Sequence, residues 1–375
     1  MSVLNNLMSS RSKPAVFVKF QEDAIHAELG RYVFALLNSF SVSGYEILLA
    51  DNRPSGRLGL YAAMAKSFPG VKLTSAVPNE TSDKLYLFDV EDGQAAGRPW
   101  LRKIRVKFDV FAPYWFRRPI LMPFRIHPVH VTPDLEERLA QFRSATRRMR
   151  MFFSGDMEGY TRSHIQYPGP KLPRLDVINA VRQYLGDRVL FVQDPAVLHE
   201  ILSGEYVDKC VILDTTKFRI PDQEWLSVLC TADFFLSPPG IVMPMCHNSV
   251  EAMAVGAVPV INYGEWFDPP LRSMQNCVAF DSKGSLIKGL EAVFAMAPRQ
   301  IAEMRNHAID YYDSVLSAKA FMTRIETSVE RRIEVLILTE RYVAQNSRKL
   351  NRHSVLMRGS ADRTPLLRIL IPDQS

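Results

Sequence analysis

Cysteine is scarce, with 4 in 375 residues, at positions 210, 230, 246 and 277 and so all in the second half. None of them forms a Cys-x-x-Cys pair, which excludes a disulfide scaffold and leaves reduced, buried thiols as the expectation. Long apolar runs are missing as well. No window approaches the roughly 20 apolar residues of a spanning helix. The start of the chain has no apolar stretch before Ala15, so no secretory leader is expected. Neither sign of charge dominates: 46 Lys and Arg stand against 40 Asp and Glu, a net charge of +6. Such an excess suits an anionic ligand, a membrane surface or plain solubility equally well. With 47% apolar and 23% charged residues the chain buries a large core, which excludes global disorder and collagen-like or low-complexity classes. At roughly 150 residues per domain, the length points to two domains of similar size.

What is present is an alternation of strands and helices. Ala15–Phe20 reads as a strand, His26–Phe40 as a helix ending near Gly44, and Glu46–Ala50 as a second strand. This is a βαβ unit and hence parallel sheet. A helix at Leu58–Phe68 and strand-like runs at Lys84–Val90, Lys103–Val110 and Pro119–Pro123 follow. The Arg-rich stretch Arg143–Arg150 reads as the crossing into a second unit. There the alternation is cleaner, with strands at Met149–Phe153, Arg188–Gln193, Cys210–Asp214, Asp233–Ser237, Val258–Ile261 and Cys277–Phe280 separated by helices. Six strands alternating with helices predict a doubly wound α/β domain. Phe321, Ile325, Val329, Ile333 and Leu336 then predict one apolar stripe on a long helix. Arg348–Ser375 is a basic tail, with six basic residues against two acidic, suited to anionic lipid headgroups or to simple solvation.

The stretch Thr231–Leu271 carries the most chemistry. Its strand ends at Ser237, Pro238-Pro239-Gly240 turns the backbone, and Gly240 lacks side-chain bulk near anything bound. Asn248 and Ser249 are good N-cap residues for the next helix, placing free N–H groups at the carboxyl edge of the sheet, where phosphate binds well. Glu251 falls early in that helix, where a carboxylate suits both hydroxyls of a ribose or simply favours the helix dipole. Asp214 ends a strand and His247 precedes the helix, both at the edge where α/β sheets place ligands. Asp214 reads as a nucleophile, a base or an Asx cap. His247 reads as a phosphate or carboxylate ligand, or as an ordinary loop histidine.

These residues resemble the donor-side signature of GT-B glycosyltransferases, most closely the exostosin-like group. The resemblance rests on Phe234–Gly240, Glu251-Ala252, Gly256–Ile261 and Pro269-Pro270-Leu271, with Phe152–Gly155 similar to the strand and turn that opens that domain. It covers roughly Met149–Tyr312. It implies two Rossmann-like domains facing across a cleft, with C-terminal helices: residues 1–145 on the acceptor side, 146–316 on the nucleotide-sugar side, and 317–375 as helix and basic tail. Donor contacts would come from Ser154, Gly155, Ser237, Gly240, Asn248, Ser249 and Glu251. The group's usual cation near the loop is absent between Phe234 and Val255, and Arg162 is the candidate substitute. Such enzymes generally need no metal or other cofactor. The Asp214 and His247 pairing further resembles bacterial retaining transferases that add β-linked Kdo from CMP-Kdo, which implies Asp214 as nucleophile and His247 as a donor contact.

The expectation is therefore a cytoplasmic glycosyltransferase, moving a sugar from a nucleotide donor to a glycan or glycolipid in bacterial surface polysaccharide synthesis. CMP-Kdo is the favoured donor and a UDP- or GDP-sugar the alternative; peripheral membrane contact through the tail would fit either. A non-catalytic nucleotide or nucleic-acid-binding protein is the distant alternative, resting on the Arg143–Arg150 cluster; basic residues interleaved with stacking aromatics are not evident. Asp89–Asp92 has the look of a metal-binding acidic cluster but reads better as an exposed turn. His127-Pro128-Val129-His130 lacks an obvious third ligand for zinc, and one of its histidines reads as an acceptor-side base or a loop residue.

Overall fold

The computed structural model describes residues 14–21, 30–50, 60–113, 119–166, 171–350 and 354–357. They divide into two compact units. The first joins Met1–Phe108 to Ala318–Ile337, and the second joins Asp109–Ser317 to Leu338–Ser375.

The first unit carries six parallel strands in the order Val71–Thr74, Glu46–Ala50, Ala15–Lys19, Lys84–Phe88, Arg102–Lys107 and Arg332–Ile337. The central runs are apolar on both faces because helices cover both. Phe17, Tyr86 and Trp100 stack with ring centroids 4.9–5.8 Å apart. The helix Gly30–Val42 buries Val33, Leu36, Leu37 and Phe40, and Gly44 takes φ 80° just past its end. Asp89 is buried rather than exposed. Its carboxylate accepts the Gln21 and Val90 amides at 2.6–3.0 Å. Glu91 pairs with Lys103 at 3.2 Å and Arg332 at 3.0 Å, and Asp92 pairs with Lys19. The acidic cluster thus ties strand ends together.

The second unit has its own parallel sheet, ordered Val278–Ala279, Val258–Ile261, Ala232–Ser237, Met149–Gly155, Tyr206–Asp214 and Val189–Val192. The chain winds to one side of Met149–Gly155 and then crosses to the other. That switch falls between Met149–Gly155 and Ala232–Ser237, and sheets of this kind place ligands at the carboxyl ends of such strands. Both units are therefore α/β, each built on a doubly wound parallel sheet.

Two sequence expectations change. The residue 145/146 boundary gives way because residues 119–143 belong with the second unit: Arg143 Nε donates to the Ala254 carbonyl at 2.8 Å, and its guanidinium pairs with Asp313 at 2.7 Å. The single helix predicted over Phe321–Leu336 is instead a helix, Ala318–Glu326, and a strand, Arg332–Ile337, which returns to the first sheet beside Arg102–Lys107. Val329, inside the expected stripe, is 95% exposed. The run after it alternates Ile333 and Val335 inward, a two-residue period that a pairing edge rewards. Most of the basic tail lies outside the described residues, as do the first 13 residues and the start of the helix expected at His26.

The Arg143–Arg150 cluster is spent internally. Arg147 donates to the carbonyls of Cys230, Ala232 and Val255, and Arg150 pairs with Asp233 at 3.1 Å. These bonds tie Arg147 and Arg150 to the amino edge of the second sheet. The four cysteines are free thiols, three of them buried.

Candidate functional site

The carboxyl edge of the second sheet brings several predicted residues together. Gly155 is paired beside Asp214, and the strand ending at Ser237 runs next to Met149–Gly155. Asp214 is half-buried, and its Oδ1 accepts the Thr216 amide at 3.1 Å, an Asx turn that fixes the carboxylate at the strand end. A Cβ on Gly155 would come within 3.1 Å of the Phe153 ring and 3.3 Å of the Arg174 guanidinium.

Arg174, which the sequence reading did not single out, lies beside Gly155. It opens the helix Arg174–Leu185, donates to the Asp156 carbonyl at 2.5 Å and lies 3.6 Å from the centroid of the Tyr160 ring. The only hint in the sequence is an arginine after Pro173, where a helix starts. Arg162 is farther out in a short 3₁₀ turn, donating to the Lys171 carbonyl at 2.8 Å.

Several donor-contact expectations meet buried, internally bonded side chains. The Ser237 hydroxyl is 1% exposed and shares a 2.7 Å hydrogen bond with the Tyr263 hydroxyl, beside the Cys246 thiol. Ser154 is buried in the strand. Gly240 is needed for a different reason than ligand access: a Cβ there would lie 2.5 Å from the Met243 carbonyl, so glycine lets the loop fold on itself. The helix begins at His247, with Cys246 in the cap position and no side-chain cap. Asn248 and Ser249 are therefore inside its first turn, and the Ser249 hydroxyl donates back to the Cys246 carbonyl at 2.9 Å.

Glu251 is the clearest correction. It sits a full turn into the helix and is 0% exposed, with no opening to ribose hydroxyls. Oε1 accepts the His127 amide at 2.9 Å and Oε2 accepts the Trp225 indole N–H at 2.6 Å. His130 Nε2 lies 3.7 Å from Oε1. The rings of His127 and His247 are 4.9 Å apart, and those of His127 and His130 are 6.2 Å apart. A backbone amide, an indole N–H and the His130 imidazole thus face one carboxylate. Burial pushes the Glu251 carboxyl up, against the pull of His130 and the two N–H donors. Burial pushes the His130 imidazole down, against the pull of Glu251. Trp225 has no signal in the sequence that would have linked it to Glu251. Among the described residues no group of three or more His, Cys, Asp or Glu is arranged to hold a metal ion.

No family model matches the sequence, and no curated protein is similar to it at a significant level. Solved structures show likenesses at low identity. A Thermobaculum terrenum O-GlcNAc transferase mutant aligns over 90% of this chain and 68% of its own, at 12% identity and TM-score 0.38. A Rickettsia africae glycosyltransferase aligns over 84% and 97%, at 7% identity and TM-score 0.46. Anabaena HepE in complex with UDP and glucose aligns over 84% and 98%, at 10% identity and TM-score 0.39. The class that the fold itself defines is a two-unit α/β protein with a doubly wound parallel sheet in each unit.

Proposed function

We propose that this chain is a nucleotide-sugar-dependent glycosyltransferase. The reading is carried by the carboxyl edge of the second sheet, where Gly155 pairs with Asp214 and lies against the Arg174 guanidinium. The favoured donor is CMP-Kdo, and the acceptor a glycan or glycolipid of a bacterial surface polysaccharide. Asp214 attacks the anomeric carbon as the bond to the nucleotide phosphate breaks, and the electron pair leaves with the nucleotide. The acceptor hydroxyl then displaces the Asp214 carboxylate and passes its proton to water, so two inversions give retention. The held position of Asp214 supports this role, because an Asx turn keeps its carboxylate at the strand end. Arg174, rather than Arg162 alone, neutralises the departing phosphate, in place of a metal or other cofactor. The same reading puts the protein in the cytoplasm with its basic C-terminal tail against anionic lipid. No helix among the described residues is long and apolar enough to cross a membrane.

A UDP- or GDP-sugar donor is the second reading, favoured by the resemblance of Phe234–Ile261 to exostosin-like sequences. Melting temperatures measured with CMP, CDP, UDP and GDP separate the two. CMP is expected to give the largest rise, and absence of a rise with every nucleotide would remove the donor site. Intact-protein mass spectrometry after exposure to CMP-Kdo is expected to show a sugar-sized gain in the wild type. Asp214→Asn should lack it, and a gain that persists in that variant excludes Asp214 as nucleophile.

A further inference from the structure

The helix Arg174–Leu185 carries a polar stripe outside the edge already described. Asn179, Arg182 and Gln183 recur at i, i+3 and i+4, so they share one face, and Gly186 follows at i+7 where the helix ends. Val189 and Phe191, two apart on the strand Val189–Val192, share one face of that strand. It is the outermost strand of the second sheet among the described residues. These six residues line an open cavity of about 410 Å³, within the size range of small-molecule sites. Phe191 is 37% exposed there, with the Arg182 guanidinium 5.1 Å from its ring centroid. Among the described residues Arg182 makes no ion pair and the Asn179 side chain no hydrogen bond. Lys283 Nζ donates to Gln183 Oε1 at 2.9 Å, which fixes that amide and leaves its NH₂ as a donor. The lining thus holds one cation and no carboxylate. Asp187 lies outside it, and Asp281, two residues before Lys283, is bonded to the Ser285 hydroxyl at 2.8 Å.

A ligand that suits this lining brings three things: an apolar patch for Phe191 and Val189, groups that both donate and accept for the Asn179 and Gln183 amides, and an anion for Arg182. A sugar ring meets the first two demands, because its C–H face is apolar and its rim carries hydroxyls. A carboxylate on that ring meets the third, because guanidinium and carboxylate pair through two parallel hydrogen bonds. We propose that this cavity binds an acidic sugar residue of the acceptor glycan, away from the reacting end. Only the source of the sugar, an acceptor, rests on the glycosyltransferase reading above; the chemistry of the lining stands apart from it. Arg182 follows Arg174 by eight residues, which puts it about 12 Å farther along the helix. Arg174 therefore stays with Gly155 at the carboxyl edge while Arg182 holds a different ligand.

The test is calorimetric titration of the full chain with three probes: trigalacturonate, its methyl ester and tetraglutamate. Trigalacturonate is expected to bind, and the ester, which keeps the rings and loses the charge, to bind about tenfold more weakly. Tetraglutamate, which keeps the charge and loses the rings, should bind more weakly than trigalacturonate too. Arg182→Gln, at an exposed helix position, should bring trigalacturonate down to the affinity of the ester and leave the ester unchanged. Asn179→Glu, also exposed, sets a carboxylate in the cavity and should weaken trigalacturonate at least as much. Tetraglutamate binding as tightly as trigalacturonate overturns the inference, since charge alone would then be recognised. Wild-type affinity in both variants also overturns it, since the sugar would then sit elsewhere. Both variants should keep the melting-temperature rise given by a nucleotide. Trigalacturonate binding at this cavity with no nucleotide rise leaves the acidic-sugar site standing and removes the donor reading. A nucleotide rise without trigalacturonate binding removes this inference alone, and failure of both removes both.

Discussion

His130 is 5% exposed beside a buried carboxylate, and burial holds its imidazole below the ordinary histidine range. Unfolded, it titrates near 6.5. Because the folded value is the lower one, its neutral form contributes stability above about pH 6.5, and that contribution is lost as pH falls through the folded value. The melting temperature should therefore drop on acidification from pH 7 to 5.5, and drop less in His130→Asn. Equal slopes in the two proteins would show that His130 is not the group responsible. Gly240 makes a second residue-scale prediction. Gly240→Ala sets a methyl 2.5 Å from the Met243 carbonyl, so the loop after Ser237 must shift. A loss of about 1–3 kcal/mol in chemical denaturation is expected. An unchanged midpoint would mean that the loop yields freely.

At the scale of elements, the segment Ala318–Ile337 shows how much a partner decides. Apolar spacing of four, four, four and three suits a helix stripe, and as far as Glu326 the chain is helical. Beyond it Ile333 and Val335 face inward from a strand, because Arg102–Lys107 offers that strand parallel hydrogen bonds. Val335→Asp buries a charge in that strand and should cost about 3–4 kcal/mol or more. Hydrogen exchange should rise in Arg102–Lys107 and stay unchanged in Tyr206–Asp214, since the two lie in separate sheets. Equal loss of protection in both would show that the two units unfold as one.

At the scale of the whole molecule, two charge clusters of the sequence resolve into bonds within their own units. Arg143, Arg147 and Arg150 are consumed by carbonyls and carboxylates of the second unit, and Lys19, Lys103 and Arg332 by the acidic cluster of the first. The α/β class, the number of strands in the second sheet and the edge carrying Asp214 and Ser237 were legible in the sequence. Each follows from local patterns, namely apolar runs, helix periods and turn residues, which act over a few positions. The partners of Glu251, the place of Arg174 and the return of Arg332–Ile337 to the first sheet were decided by tertiary structure alone. Each depends on which donor meets which acceptor across tens to hundreds of residues. A buried carboxylate takes whatever N–H groups the fold brings to it, and no spacing in the chain records that choice.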